Sequence, residues 1–368
     1  MAQLSLQDVA DFVAMTQRRF PFDKWTDLGL PLQNYKLYTD FIPAIKKTVG
    51  DPGEQTSFQM KVSMGGTAEM VGPYEKATVN AKNMMVRGTV PYRFMRSHAL
   101  FDRKIAMMQK GRKIVDLMLI GRSDGKQQSV IKAEEEGWGV PAVGDSMNAY
   151  GIRAWVTKYN ALNPGTTFYG TNHVNFSSGV GGVSRVTYPN AKNWASSYTV
   201  VDDTTEPSAS AAGLFKQMRY ASYYTNFVAP IPVPGQPESG PLRIYSNLTT
   251  VVKAEDVLRG ANDQNGSDLA FYLGRAIFNR VPIQPVRYLD TDTNNPVYML
   301  DMGGWEMPCP DGEFITETEP IKGGVEWPDL VAVYWNSAFN FVLSDPRSQA
   351  VICESGTTDE NGTALPGA

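Results

Sequence analysis

Histidine and cysteine, the residue types that most often carry nucleophilic or metal chemistry, are scarce in this chain. It contains two histidines, His98 and His173, and two cysteines, Cys309 and Cys353. Neither cysteine belongs to a CxxC pair, so the spacing excludes a zinc site of that kind as well as a disulfide framework. A Ser-His-Asp triad needs a partnered base and an oxyanion site, and neither can be placed around either histidine. We interpret His98 as a surface or capping residue and His173 as a turn residue.

The short motifs that bind phosphate or metal are also missing. The sequence has no GxxxxGK[ST] loop, no HExxH helix, no EF-hand loop and no GxSxG elbow. The glycine-rich stretch Gly179–Val183 does not lie between a clear strand and a clear helix, so it is a weak phosphate site. We therefore predict that the chain is not an enzyme and that it takes no cofactor and no metal ion.

Two groups of carboxylates remain as candidates for acid–base work. Glu134, Glu135 and Glu136 follow one another, and Glu313, Glu317 and Glu319 lie within seven residues. We interpret the first group as a solvated helix end, where acids oppose the helix dipole and indicate a cationic neighbour. The second group is interpreted as the wet face of a strand. A hydrolase with paired carboxylates at the second group stays open as an alternative.

One stretch of the chain is strongly basic. The segment from Tyr92 to Lys113 contains one acidic residue, Asp102, and seven basic residues: Arg93, Arg96, Arg103, Lys104, Lys110, Arg112 and Lys113. Such a cluster is either a solvated face, a contact with acidic neighbours, or a contact with nucleic acid. The formal net charge of -4 argues against tight, autonomous binding of DNA.

Composition narrows the class of protein. The chain has 368 residues, of which 42% are hydrophobic and 20% charged, so wholesale disorder is excluded. The length predicts two or three domains. No stretch reaches the roughly 18 uninterrupted apolar residues of a membrane span, and the N-terminal segment lacks the pattern of a secretory signal. We expect a reducing, cytoplasmic environment.

The first hundred residues predict parts that have no core of their own. Residues 5–18 show the spacing of a short amphipathic helix, and residues 20–39 indicate an extended arm. Residues 56–96 alternate as the two arms of a long hairpin, with a phase slip near Lys82-Asn83 that predicts a β-bulge. A two-stranded ribbon is marginal alone in water, so we expect it to rest on a partner subunit. We expect the tail 354–368 to pack on neighbouring subunits for the same reason.

The rest of the chain mixes helices and strands. The pattern predicts a long helix over 99–136, kinked or weakened at Gly121 and Gly125. The further predicted helices are 208–227 and 254–261. The predicted strands are 152–159, 242–247, 282–289 and three segments within 297–342. The fold class is therefore α+β.

The order of these elements, together with five passages, resembles the major capsid proteins of tailed bacteriophages of the Hong Kong 97 type. The order is an arm, a long two-stranded loop, a long helix, a mixed domain and a closing set of long strands. The passages that are similar to one such phage family, and that occur in the same order, are residues 191–199, 214–227, 262–270, 285–298 and 335–348.

The resemblance implies names for the parts. Residues 1–50 would be an N-terminal arm, 51–98 an extended loop (E-loop), and 99–137 the spine helix of a peripheral domain. Residues 138–297 would form the axial domain, 298–342 the long strands of the peripheral domain, and 343–368 the last axial strand and the C-terminal tail. Because Met1 is present, we expect no cleaved scaffolding segment at the N-terminus.

The resemblance also implies a function. The chain would be a major capsid protein that assembles with itself into hexamers and pentamers of an icosahedral virion shell, built in the bacterial cytoplasm around double-stranded DNA. Portal, scaffold or decoration proteins would be further partners, DNA contact would be weak and non-specific, and no membrane would be involved. An encapsulin-type nanocompartment that encloses an enzyme is the alternative. The candidate inter-subunit contacts are Arg87, Arg93, Arg96, Arg103, Lys104, Arg112, Glu134 and Glu135.

Overall fold

Helices and strands are both present throughout the computed structural model, which confirms the α+β class. It describes residues 35–49, 53–63, 70, 84–102, 112–158, 168–201, 213–227, 241–265, 271–272, 275–311, 313–323 and 327–354. These residues fall into two units. The smaller unit comprises the described residues within 96–129 and 317–335, and the larger unit comprises those within 33–95, 130–316 and 336–354.

Five α-helices and sixteen strands are described. The helices are α1 (Ile42–Ala44), α2 (Arg112–Trp138), α3 (Ile152–Trp155), α4 (Leu214–Tyr224) and α5 (Leu248–Asn265). The first nine strands are β1 (Lys46–Val49), β2 (Gln55–Lys61), β3 (Met85–Pro91), β4 (Arg93–Asp102), β5 (Trp194–Tyr198), β6 (Leu242–Ser246), β7 (Phe271–Tyr272), β8 (Arg275–Phe278) and β9 (Val281–Pro285). The others are β10 (Val297–Asp301), β11 (Trp305–Cys309), β12 (Thr316–Glu317), β13 (Ile321–Gly323), β14 (Trp327–Phe339), β15 (Val342–Leu343) and β16 (Ala350–Glu354).

A mixed seven-stranded sheet forms the centre of the larger unit. Its order is β5-β16-β10-β6-β9-β8-β7. Strand β10 pairs antiparallel with both β16 and β6, whereas β16 runs parallel to β5 and β6 runs parallel to β9. The strands of this sheet come from both of the segments that the resemblance assigns to separate domains, 138–297 and 298–342. Those domain boundaries stay a prediction.

Both faces of this sheet are buried, because its strands are apolar on both sides. On β10, Val297 and Met299 pack with helices α4 and α5 in one cluster, which we call the helix-side core. The alternate residues Tyr298 and Leu300 belong to a second cluster, the body core. Successive side chains of a strand point to opposite faces, so the two cores lie on opposite faces of the sheet. A strand buried on both faces reads as a continuous apolar run.

The paired arms of the ribbon, β2 and β3, rest on their own chain. They pair antiparallel with Phe58 opposite Gly88. Alternation along the arms is confirmed, since Phe58, Met60 and Val90 are buried in the body core. The ring of Phe58 lies 5.7 Å from that of Trp155 in an edge-to-face arrangement. For this part of the ribbon the expected support from a partner subunit was wrong, because Phe58, Met60 and Val90 pack in the body core of the same chain. Met84 and Met85 are exposed, and for the ribbon beyond them the expectation stays a prediction.

A glycine is required opposite Phe58. A Cβ placed on Gly88 would lie 2.3 Å from the Cζ atom of the Phe58 ring. Cβ atoms do not approach other heavy atoms so closely, so the ring occupies the space that a side chain would need. The local sequence pattern indicates a strand at this position but does not show what covers the glycine.

A buried arginine organises the loops between α3 and β5. The Arg185 guanidinium donates to the carbonyl of Trp155, to Thr157 Oγ1 at 3.0 Å and to Asn193 Oδ1 at 2.8 Å. It also donates to the carbonyl of Thr171 at 3.3 Å. Burial lowers the pKa of Arg185 to about 10. The charge is therefore solvated by neutral oxygens of the chain, which is how a buried cation avoids a large desolvation penalty.

In the smaller unit, the glycines of α2 are sites of close packing. The helix runs through Gly121 and Gly125 without interruption, and a kink there stays a prediction. A Cβ on Gly121 would lie 2.8 Å from the ring of Phe101, and one on Gly125 would lie 2.2 Å from the ring of Trp335. Strand β14, which carries Trp335, pairs with β12, β13 and β4. The glycines let aromatic side chains approach the helix backbone.

Five secondary-structure predictions need correction. The end of the arm predicted as extended over 20–39 is helical, because Leu37–Phe41 forms a π-helix. Residues 99–102 belong to strand β4, so the start predicted for the long helix at residue 99 was wrong. The segment 152–159 begins as helix α3 and not as a strand, with Gly151 as its N-cap residue. Helix α5 is longer than the predicted 254–261. The strand predicted at 282–289 ends at Pro285, and a 3₁₀ turn follows.

Several predictions lie outside the described residues. They are the helix at 5–18, the arm up to residue 34, the bulge near Lys82-Asn83 and the tail beyond Glu354. These stay predictions.

Candidate assembly surfaces

Arg87 projects from the ribbon. It is exposed on β3 and lies opposite Gln59 of β2 in the ladder. Its neighbours along the strand, Val86 and Gly88, face the other side of the ribbon. Arg87 is therefore available at the surface of a single subunit, and its contact with a neighbouring copy stays a prediction.

Arg93 is held by its own subunit. Its guanidinium donates to the carbonyl of Asp145 at 3.1 Å and to the carbonyl of Ser146. It also lies over the ring of Tyr150, 5.7 Å from the ring centre. Arg93 thus fastens the start of β4 to the loop that follows α2. The carboxylate of Asp145 accepts from the Met147 amide at 2.7 Å, and this bond, with Arg93 nearby, lowers the pKa of Asp145.

Arg96 lies on the exposed face of β4. The guanidinium is 5.5 Å from the ring centre of Tyr334 on β14, an arrangement that favours cation–π attraction. Arg103 and Lys104 are outside the described residues, and of Arg112 only the backbone at the start of α2 is described. Arg93 and Arg96 therefore have different neighbours within the described residues, and a contact of either with another subunit stays a prediction.

Glu134 is buried, so the prediction of a solvated helix end was wrong for this residue. The Leu37 amide donates to its Oε2 at 2.7 Å, and Trp138 Nε1 donates to its Oε1 at 3.0 Å. Its residue exposure is 6%. Burial raises the pKa of Glu134 to about 7, although the hydrogen bonds that it accepts act in the opposite direction. Glu134 fastens the segment that precedes α1 to the end of α2.

Glu135 behaves as the sequence predicts for a wet helix end. Its side chain is half exposed and pairs with Lys132 Nζ at 3.0 Å, one turn earlier on the same helix. Glu136 accepts from the same ammonium group at 3.0 Å and caps the Ala149 amide. These acids raise the pKa of Lys132 against an opposing contribution from burial. The expected cationic neighbour of the acids is therefore Lys132 of the same helix.

The carboxylates proposed for a hydrolase are all exposed. Glu317 forms an ion pair with Arg122 of α2, in the smaller unit. Glu313 and Glu319 are exposed in the described chain, as the interpretation of a wet face predicts. Within the described residues, no group of three His, Cys, Asp or Glu side chains is placed to hold a metal ion.

The two histidines lie where the sequence predicts, one at the surface and one in a turn. His98 is exposed on β4, with its ring 6.2 Å from that of Tyr334. His173 is buried, and its Nδ1 accepts from the Asn175 amide at 3.1 Å, which closes a turn. Both interpretations made from the sequence are confirmed.

In the described part of the chain, no helix is both long enough and apolar enough to cross a bilayer.

One pair of surfaces, on helices α4 and α5, was not predicted from the sequence. Helices α4 and α5 bury one face each in the helix-side core and expose large side chains on the other. On α4 these include Tyr220 and Tyr223, and on α5 they include Leu248 and Val252. The three- and four-residue spacing of these side chains was the available signal, but it becomes informative only once the opposite face is known to be covered.

Solved structures of phage capsid proteins resemble this chain. The capsid of cyanophage A-1(L) shares 16% identity over 92% of this chain and 98% of its own, with a TM-score of 0.60. The capsid of a native GTA particle shares 12% identity over 90% and 95%, with a TM-score of 0.55. The mature capsid of bacteriophage PhiM1 shares 9% identity over 90% of each chain, with a TM-score of 0.51.

No protein-family model matches the chain, and no curated protein matches it. At such low identities the likeness concerns the backbone, and it extends over at least nine tenths of each chain. The resemblance inferred from the order of the elements is thus confirmed for the fold. The chain has the Hong Kong 97-like fold of tailed-phage capsid proteins.

Proposed function

We propose that this chain is the major capsid protein of a tailed bacteriophage, which assembles with itself into hexamers and pentamers of an icosahedral shell around double-stranded DNA. The observation that carries the proposal is the match to the cyanophage A-1(L) capsid, which spans nearly all of both chains. Fold alone does not dictate function. The proposal therefore also depends on the surface of the subunit.

That surface carries exposed apolar side chains on regular elements. Phe94 and Leu100 on β4 are 83% and 50% exposed, and the exposed Arg96 and His98 lie between them on the same face of the strand. A phenylalanine that is 83% exposed is of the residue type that protein–protein interfaces enrich. A shell subunit covers such faces with copies of itself, and the buried area stabilises both the subunit and the lattice.

The proposal includes the remaining partners and the location. The subunit is a component of the virion and is assembled in the bacterial cytoplasm, with portal, scaffold or decoration proteins as further partners. Contact with the packaged DNA is weak and non-specific, in keeping with the formal net charge of -4. The role is structural, without a catalytic reaction.

Electron microscopy of the purified protein, together with sedimentation, tests the proposal. We expect closed shells, capsomers or tubes that contain this chain as their main component. A strictly monomeric species under virion-like conditions would overturn the proposal. Nuclease-resistant DNA inside shells isolated from infected cells supports a phage capsid, whereas an enclosed enzyme without DNA would identify the encapsulin-type alternative.

A further inference from the structure

Helix α4 carries a basic and aromatic stripe on its outer face. Tyr223 is 86% exposed and Tyr220 is 38% exposed. Lys216 and Arg219 complete the series at spacings of three and four residues, which places all four on one face of the helix. The opposite face, which includes Met218, is buried in the helix-side core. We call the residues Lys216, Arg219, Tyr220 and Tyr223 the α4 stripe.

Helix α5 carries an aliphatic and acidic stripe. Leu248 is 53% exposed and Val252 is 47% exposed. Glu255 and Asp256 follow at helical spacing on the same side, with Asp256 exposed and Glu255 half-buried. We call Leu248, Val252, Glu255 and Asp256 the α5 stripe. One cation, Lys253, is exposed on its flank.

The start of α5 is fixed firmly, so this stripe has a defined position. The Leu248 amide donates to Asp290 Oδ1 at 2.8 Å, and the Thr250 amide donates to Asn247 Oδ1 at 3.1 Å. These two acceptors satisfy backbone donors that the first turn of a helix leaves unpaired. A rigid support of this kind lowers the entropy lost when a surface binds.

The two helices lie over opposite ends of one sheet. Helix α4 packs against β5 and β16, and helix α5 packs against β7, β8 and β9. Because β5 and β7 are the two edges of the seven-stranded sheet, the stripes occupy different ends of the same unit. Two different patches at different ends of a subunit can satisfy each other only between copies, and the contact then repeats from one copy to the next.

We propose that the α4 stripe of one subunit packs against the α5 stripe of the next copy in the same capsomer. The inference rests on the proposed function and names the surfaces that close the ring. The stripes are complementary in charge, since two cations face two carboxylates. They are also complementary in polarity, because the apolar bodies of Tyr220 and Tyr223 would cover Leu248 and Val252. Tyrosine and arginine are the residue types enriched at such interfaces.

Cysteine crosslinking tests the pairing and its direction. Two forms of the chain with different tags, one carrying Tyr223→Cys and the other Val252→Cys, are co-expressed and treated with a short bismaleimide. We expect a crosslinked dimer that contains both tags. The Tyr223→Cys chain alone is expected to give no dimer above the wild-type background, which controls for Cys309 and Cys353. A dimer from Tyr223→Cys alone would show a two-fold contact and overturn the inference.

A charge exchange provides a second, independent test. Lys216→Glu should raise the protein concentration needed for half-assembly about tenfold or more, because like charges would then face each other. Adding Asp256→Lys should restore assembly. The matched control is Lys216→Glu with Asp124→Lys, which has the same net charge but places the new cation on the exposed surface of α2. Equal rescue by both double variants would refute the pairing.

The outcomes separate this inference from the function on which it rests. If the wild-type chain forms shells but neither the two-tag crosslink nor the specific rescue appears, the stripe pairing is wrong and the capsid function stands. If the wild-type chain never assembles, the proposed function fails and the pairing fails with it. Circular dichroism of each variant shows whether the subunit itself is still folded.

Discussion

Protonation of Glu134 should control the stability of the larger unit. Its carboxylate is enclosed with the Leu37 amide at 2.7 Å from one oxygen and Trp138 Nε1 at 3.0 Å from the other. The folded chain raises the pKa of this carboxyl from 4.5 to about 7. Between pH 4.5 and about pH 7, the folded state therefore keeps a proton that the unfolded state has lost.

The direction and size of the effect follow from proton linkage. A raised carboxyl pKa means that stability is fully present below pH 4.5 and decreases as the pH rises, levelling off above about 7. A shift of this size corresponds to a loss of about 3 kcal/mol of unfolding free energy, at 1.36 kcal/mol per pKa unit. Burial of the charged form outweighs the hydrogen bonds that favour it.

The variant Glu134→Gln removes the titrating group and keeps the shape. An amide offers one acceptor oxygen, so one of the two donors loses its partner, which costs about 1–3 kcal/mol at pH 5. The variant has no charge to bury, so its deficit in unfolding free energy relative to wild type should shrink by about 2.5 kcal/mol between pH 5 and pH 8, the part of the full effect that falls in this window. Urea titrations at a series of pH values measure this difference, because all other titrating groups are common to both chains.

Glu135→Gln is the matched control, since it makes the same chemical change at the next position of the helix. Its side chain is half exposed and pairs with Lys132 on the surface. The loss of unfolding free energy relative to wild type should therefore be small and nearly independent of pH. Hydrogen exchange at the Leu37 amide measures how firmly its hydrogen bond to Glu134 is held at each pH. A deficit of Glu134→Gln that stays constant from pH 5 to pH 8 would refute the reasoning.

Three further predictions concern close packing and buried charge. Gly88→Ala should lower the unfolding free energy by about 1–3 kcal/mol, because its Cβ would displace the ring of Phe58. Arg185→Met should cost about 3 kcal/mol, since it leaves several buried oxygens without a donor. Gly125→Ala should destabilise the smaller unit by about 1–3 kcal/mol despite the better helix propensity of alanine, because its Cβ would meet the ring of Trp335. Chemical denaturation measures all three.

Each of these predictions has its own control. Adding Phe58→Leu to Gly88→Ala should recover part of the loss, and strict additivity of the two changes would contradict the clash. Arg185→Lys should be less harmful than Arg185→Met, because one ammonium still serves some of the acceptors. Gln128→Ala, at an exposed position of the same helix, should be nearly neutral, so an equal loss there would argue against a steric effect of Gly125→Ala.

Short-range patterns predicted the parts of the fold that depend on the immediate neighbours in the chain. The alternation of Phe58, Met60 and Val90 follows from the two-residue period of a strand, and the structure confirms it. The helical period likewise located α4. The order of the elements then led to the capsid fold, which the comparisons confirm. The assembly surfaces were not located in this way, because periodicity shows that a face is apolar or polar but not what covers it.

The amino-acid sequence by itself determined the class of fold, the alternation of the ribbon and the scarcity of catalytic residue types, because these depend on composition and on spacing along the chain. Tertiary structure alone decided that Glu134 is enclosed, that the ribbon arms rest on Trp155 of their own subunit, and that Gly125 lies against Trp335. The physical reason is that burial and close approach depend on residues far apart in the chain. Which of these distant residues come into contact is determined by the packing of whole helices and strands and not by any local pattern.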